Sequence, residues 1–148
     1  MDMVPPLWYD VAEVNNMKLD PDCVRSILLT IEEHMSYEDN SLNIGRYTCP
    51  DFGRLFYYDW PKVRYHIKKC EESGSISVAK YTDDAVWAKD MTAKGHSFLS
   101  DIRDENKWKG FMKIFPAMKS YSLEAIEYAM KGITTAGIES FLKKNGLN

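Results

Sequence analysis

Six side chains close together in the chain have the types and spacing that nucleic-acid recognition needs. Trp60, Lys62, Arg64, Lys68 and Lys69 fall within WPKVRYHIKKCEES, residues 60 to 73, and Lys80 follows shortly after. An arginine on a helix that enters a groove can meet a guanine edge with two parallel N–H donors, while lysines hold the phosphates. Lys80, Tyr81 and Thr82 would lie along the nucleic-acid backbone as a wing does. Opposing charge sits in the same window, with Glu71 and Glu72 at the helix end and Asp83 and Asp84 at the wing tip. A run of this composition also suits an ordinary solvated helix face.

Other chemistries find little support. There is no nucleophile beside a base, no carboxylate pair in an apolar setting and no phosphate-cradling glycine loop. No catalytic residue and no cofactor is therefore expected, and the chain reads as a non-enzyme. Cys23, Cys49 and Cys70 are odd in number and lie far apart, which fits reduced structural thiols better than a zinc site. His34, His66 and His96 share no metal-ligand spacing with any cysteine or carboxylate cluster. His66 lies between Tyr65 and Ile67 beside an apolar stripe and reads as a hydrogen-bonded packing residue; His96 reads as local structure.

These residues need elements to position them. Val63, Ile67 and Cys70 recur at helical spacing, so residues 60–72 form a helix that buries one side and turns Trp60, Arg64, Lys68 and Glu71 outward. Gly74 tolerates the left-handed backbone just past a helix end. Ile76 and Val78 alternate with Ser75 and Ser77 as strand residues do; residues 81–84 turn, and Val86 and Trp87 begin a return strand. Thr92 caps a following helix whose apolar side carries Phe98, Leu99 and Ile102. Upstream, Asp20 and Pro21 start a helix with Asp22 near its positive end and Val24, Ile27, Leu28 and Ile31 inward. Leu42 to Thr48 reads as a short strand. Residues 51–59, DFGRLFYYD, read equally as a helical turn or a strand, packing aromatics beneath the next helix. After Asp104, Trp108, Phe111, Met112 and Phe115 repeat at helical spacing until Pro116. Ser122 caps a helix carrying Leu123, Ile126, Met130 and Ile133, and Ile138, Phe141 and Leu142 close a last one.

With 148 residues and 45% apolar content, the chain is long enough for one compact domain. No stretch approaches the roughly 20 apolar residues of a membrane span, and Asp2 with two prolines stands where a secretion signal would be basic and then apolar. A cytoplasmic protein without membrane contact is expected. Net charge is −3, which weighs against a nucleic-acid partner. The charge is uneven: residues 1–42 hold two basic and nine acidic side chains, residues 43–80 seven and four, residues 81–148 ten and nine. The basic excess falls on the segment with the recognition-type helix.

Three blocks, MKLDPDCVRSILLTIEE (17–33), VRYHIKKCEESGSI (63–76) and MTAKGHSFLSDIRDENKW (91–108), resemble those of domain of unknown function 2513. The third is the most specific, and the resemblance runs from about Met17 to the C-terminus. It implies a winged-helix-like fold in a small protein common in phages and prophages of Gram-positive bacteria. It brings no activity, substrate or catalytic residue. Residues 1–16 precede the usual family start, and residues 44–59 look longer and more aromatic than the family's turn.

The expected architecture is α+β, mainly helical, with a winged helix-turn-helix core and extra C-terminal helices. Residues 1–16 form an extension in which Leu7, Trp8 and Tyr9 could clip onto the domain or a partner. Residues 17–104 form the winged-helix domain, and 105–148 pack helices on it that are candidates for a homodimer seam. The first expectation for function is double-stranded DNA binding in a regulatory role, through Trp60, Lys62, Arg64, Lys68, Lys69 and Lys80. The second is a protein-binding module docking a host or defence protein, since the acidic first third and exposed aromatics such as Trp8, Tyr9, Tyr57 and Tyr58 suit a basic partner.

Overall fold

The computed structural model describes residues 18–38, 41–118, 122–132 and 143–144. Its chain order is α1 (Pro21–His34), β1 (Leu42–Gly45), two 3-10 turns (Cys49–Asp51 and Gly53–Leu55), α2 (Trp60–Glu72), β2 (Ile76–Tyr81), β3 (Ala85–Met91), α3 (Ala93–Arg103), α4 (Glu105–Ile114), a 3-10 turn (Phe115–Ala117) and α5 (Leu123–Lys131). The protein is thus a mainly helical α+β fold with one small antiparallel sheet ordered β1-β3-β2. The expected extension at 1–16 and the expected last helix at 138–142 lie outside the described residues.

Local chemistry accounts for most of the boundaries. The Asp20 carboxylate accepts the backbone N–H groups of Asp22 (2.9 Å) and Cys23 (3.4 Å), and Pro21 occupies the first turn. Gly74 takes φ +83°, so α2 ends in a left-handed residue. Thr92 caps α3 by accepting from Gly95 N–H at 3.0 Å, Asp104 caps α4, and Ser122 caps α5. The hairpin joins β2 to β3 in register Tyr81 to Val86, with pairing irregularities on either side of Val78.

The segment before α2 resolves into successive 3-10 turns. N–H groups of Asp51, Phe52, Leu55 and Tyr58 each bond a carbonyl three residues back, at 2.9–3.2 Å. Pro50 and Gly53 keep these turns from extending into a helix, and the hydrophobic spacing is too short for one. Leu55 and Tyr58 go into the core, so Tyr58 is not the exposed aromatic that the sequence suggests; Phe52 meets His34 edge-on at 4.8 Å, and Phe56 stays on the surface. Only part of the aromatic set therefore packs under α2.

One cluster of buried side chains runs from Cys23 and Ile27 of α1, through Val63 and Ile67 of α2, Ile102 of α3 and Phe111 of α4, to Ile126 and Met130 of α5. Burying a side chain of this size contributes about 1.5–3 kcal/mol. Among the described residues no helix is long and apolar enough to cross a membrane.

Candidate nucleic-acid interface

Helix α2 is amphipathic because Trp60, Val63, His66, Ile67 and Cys70 face the core. The opposite side carries exposed Pro61, Lys68 and Glu72, with Tyr65 and Lys69 half-buried. Trp60 is a correction to the sequence reading: its ring is buried, and its indole N–H donates to the Asp83 carbonyl across 2.8 Å. An indole can bury its ring and still satisfy its one donor at a turn carbonyl, and the hairpin turn lies directly against the start of α2.

Arg64 is the second correction. It is half-buried; its Nε donates to the Thr82 carbonyl at 3.3 Å, and its guanidinium lies 5.5 Å from the centre of the Tyr81 ring. It points to the hairpin, where free carbonyls and an aromatic face offer a planar cation more than solvent does. Together Trp60 and Arg64 fasten the turn at 81–84 to the first half of α2. Charge at the hairpin turn is also reduced, since Asp84 pairs with Arg46 at 2.9 Å.

Lys62 is also drawn inward. Its ammonium stands 2.7 Å from Asp20 Oδ2 and 5.3 Å from the Tyr58 ring. Lys69 pairs with Glu72 at 3.0 Å and covers the Tyr65 ring at 5.1 Å. Lys68 is exposed and has no carboxylate within ion-pair distance among the described residues. Lys80, exposed on β2, lies over the Trp87 ring at 5.2 Å. Of the six candidate residues, the structure leaves Lys68, Lys69 and Lys80 facing outward.

His66 joins α1 to α2. Its Nδ1–H donates to the Lys62 carbonyl at 2.7 Å, and its Nε2 accepts the Asp20 N–H at 2.8 Å, an arrangement that requires neutral imidazole. Burial lowers its pKa, the Lys62 carbonyl partly opposing. Asp20 thus caps its own helix, pairs with Lys62 and bonds His66 at once.

Sequence reasoning missed a second polar centre. Asp22, expected as a favourable charge at the start of α1, is buried, accepts the Trp108 indole N–H at 2.9 Å, and has its pKa raised to about 6, chiefly by desolvation. Its partner lies 86 positions away, so no local signal could have found it. Glu127 of α5 is likewise buried, 3.3 Å from Ser75 Oγ and 3.4 Å from Lys94 Nζ. Cys23, Cys49 and Cys70 are buried free thiols, and burial raises the pKa of each. Among the described residues no group of His, Cys, Asp and Glu is placed to hold a metal ion.

Comparison with known proteins adds a family without adding an activity. A protein of Haemophilus influenzae described as "Uncharacterized protein" is 27% identical over 129 residues, covering 85% of this chain and 99% of the relative. No solved structure matches. The family described as "Hypothetical protein (DUF2513)" matches residues 18–122, from the start of the described structure to the cap of α5. The chain belongs to that family, domain of unknown function 2513.

Proposed function

We propose that this chain is a non-enzymatic winged-helix protein that binds double-stranded DNA in a regulatory role, with α2 in the groove and the β2–β3 hairpin along the backbone. The observation that carries the reading is the fastening of the hairpin to α2 by Trp60 and Arg64, which makes one rigid unit bearing Lys68, Lys69 and Lys80 outward. The sheet order β1-β3-β2 after an amphipathic helix supports the same reading. Because Arg64 is engaged internally, guanine readout drops out, and lysine contacts to phosphate carry the affinity with weak sequence preference. The phage or prophage origin rests on the family resemblance alone.

Salt titration of binding to mixed-sequence duplex tests this. Affinity should fall steeply with salt, by about 0.9 in logarithmic slope per neutralised phosphate. Lys68→Glu with Lys80→Glu should remove binding while the fold remains. An absence of binding at low salt defeats the proposal.

A protein-binding role is the second reading, favoured by Tyr37, Tyr47 and Phe56, large apolar side chains that stand on the surface. A basic host or defence protein would suit the acidic first third of the chain. Capture of one defined partner that survives the double lysine reversal would favour this reading over DNA.

A further inference from the structure

Helices α1 and α4 and the 3-10 turn at Gly53–Leu55 line an open cleft of about 610 Å³. This is within the roughly 300–1,000 Å³ typical of small-ligand sites. None of its lining residues belongs to α2 or to the hairpin, so it is separate from the surface proposed for DNA. Trp108, Met112 and Tyr57 supply apolar and aromatic lining.

The polar lining is unevenly charged. Arg25, Arg54, Lys109 and Lys113 bring four cations, against the two carboxylates of Asp22 and Glu105, in a chain whose net charge is −3. The Arg25 guanidinium lies 5.4 Å from the Trp108 ring centre, and its Nε donates to the Ile102 carbonyl at 2.8 Å. Arg54 is anchored on Glu33 at 2.7 Å yet close enough to Arg25 to lower its pKa, second to burial as a cause. Lys109 and Lys113 are four residues apart on α4, both exposed, and neither has a carboxylate within ion-pair distance among the described residues. Arg54 is matched by Glu33 and Arg25 faces Asp22, so the cations left to a bound anion are Lys109 and Lys113.

We propose that this cavity binds a nucleoside phosphate, its flat base against Met112 and Tyr57 beside the Arg25-covered Trp108 and its phosphate against Arg54, Lys109 and Lys113. Asp22 distinguishes this class from a simple aliphatic acid. An ionised carboxylate has about four acceptor sites, and the Trp108 N–H fills one. The amino or imino N–H groups of a base can use the others, whereas a hydrocarbon chain would leave them dry and unpaired. Arg25 is fixed over the indole and forms a rigid, already ordered part of the wall.

Titration calorimetry of the full chain with the four common nucleoside monophosphates, adenosine and inorganic phosphate tests the proposal. At least one monophosphate should bind with Kd below about 1 mM and more tightly than adenosine or inorganic phosphate. Lys109→Glu with Lys113→Glu should weaken that binding about tenfold or more with an unchanged melting temperature, because both side chains are exposed. Asp22→Asn should weaken the nucleotide while leaving inorganic phosphate unaffected. Lys68→Glu with Lys80→Glu should leave nucleotide binding intact, which separates this site from the DNA surface. The proposal is overturned if no monophosphate binds below about 1 mM, if inorganic phosphate binds equally well, or if the α4 reversal changes nothing.

Discussion

The Trp108 indole N–H and the Asp22 carboxylate meet across 2.9 Å, tying the first turn of α1 to α4 over 86 positions of chain. Desolvation raises the Asp22 pKa from 3.8 to about 6, more than the indole bond lowers it. Between these values the folded state holds the proton more tightly than the unfolded state, so this group's contribution to stability grows as pH falls. The penalty is fully present at pH 7 and is relieved through pH 6 toward pH 4, amounting to no more than about 3 kcal/mol. Asp22→Asn keeps an acceptor for the indole and removes the charge. Urea unfolding should therefore show the variant gaining on wild type at pH 7 relative to pH 4.5. Exchanging a carboxyl for an amide also adds an offset that does not depend on pH, so the slope is the readout. A difference that does not change with pH would show that Asp22 is not held in a desolvated site.

Gly95 makes a different kind of close approach. It lies in the first turn of α3, where a Cβ would overlap the Ser75 carbonyl oxygen and stand 2.8 Å from Met91 Cγ. That carbonyl is fixed by the Thr92 N–H at 3.0 Å, so it cannot withdraw without undoing the junction between β2 and α3. Gly95→Ala should lower stability by about 3 kcal/mol. Gly53→Ala, with nothing within 4 Å of its added carbon, should be neutral or stabilise by up to about 1 kcal/mol. Equal melting temperatures for the two variants would refute the packing argument.

What was legible in the sequence was local. Asp20 with Pro21, Thr92 and Ser122 announce element starts because a cap acts on N–H groups two or three residues away, and Gly74 announces an end because it takes a left-handed φ. The apolar spacing of Val63, Ile67 and Cys70 likewise reads directly as a buried helix face. The candidate site was less legible, because the destination of a long amphipathic side chain depends on what lies across from it. Helical spacing turns Arg64 and Trp60 outward, yet both find carbonyls in a turn about 20 residues later, which periodicity does not encode. Asp22 shows the same failure at greater separation. At residues 49–58 the reason is shortness, since 3-10 turns of three residues leave no period to recognise.

Arg64 and Lys68 separate folding from recognition. Arg64→Ala removes a charge-assisted bond to the Thr82 carbonyl and a contact with Tyr81, and should cost about 1–2 kcal/mol. Lys68→Ala should stay within about 0.5 kcal/mol of wild type, as surface substitutions do. Chemical denaturation of both variants measures this. The reverse order of stabilities would mean that Arg64 does not hold the hairpin in solution.

His66 tests the α1–α2 junction through its protonation. Its Nδ1–H donates to the Lys62 carbonyl and its Nε2 accepts from Asp20 N–H, so a second proton would put two donors face to face. Burial lowers its pKa below the ordinary 6.5 for the same reason: the charged ring would sit among buried groups. The unfolded state therefore takes up the proton first as pH falls, and the stability contributed by neutral His66 is lost progressively below about pH 6.5. This runs opposite to Asp22 over an overlapping range, and the two together flatten the net profile, which makes single-variant subtraction necessary. Long-range nitrogen–proton NMR should find the Nδ1–H tautomer at pH 7 and a titration midpoint below 6.5. An Nε2–H tautomer, or a midpoint at or above 6.5, would mean that Asp20 does not donate to this ring. The Lys62 pairing that keeps that lysine away from the outer face would then lose its anchor as well.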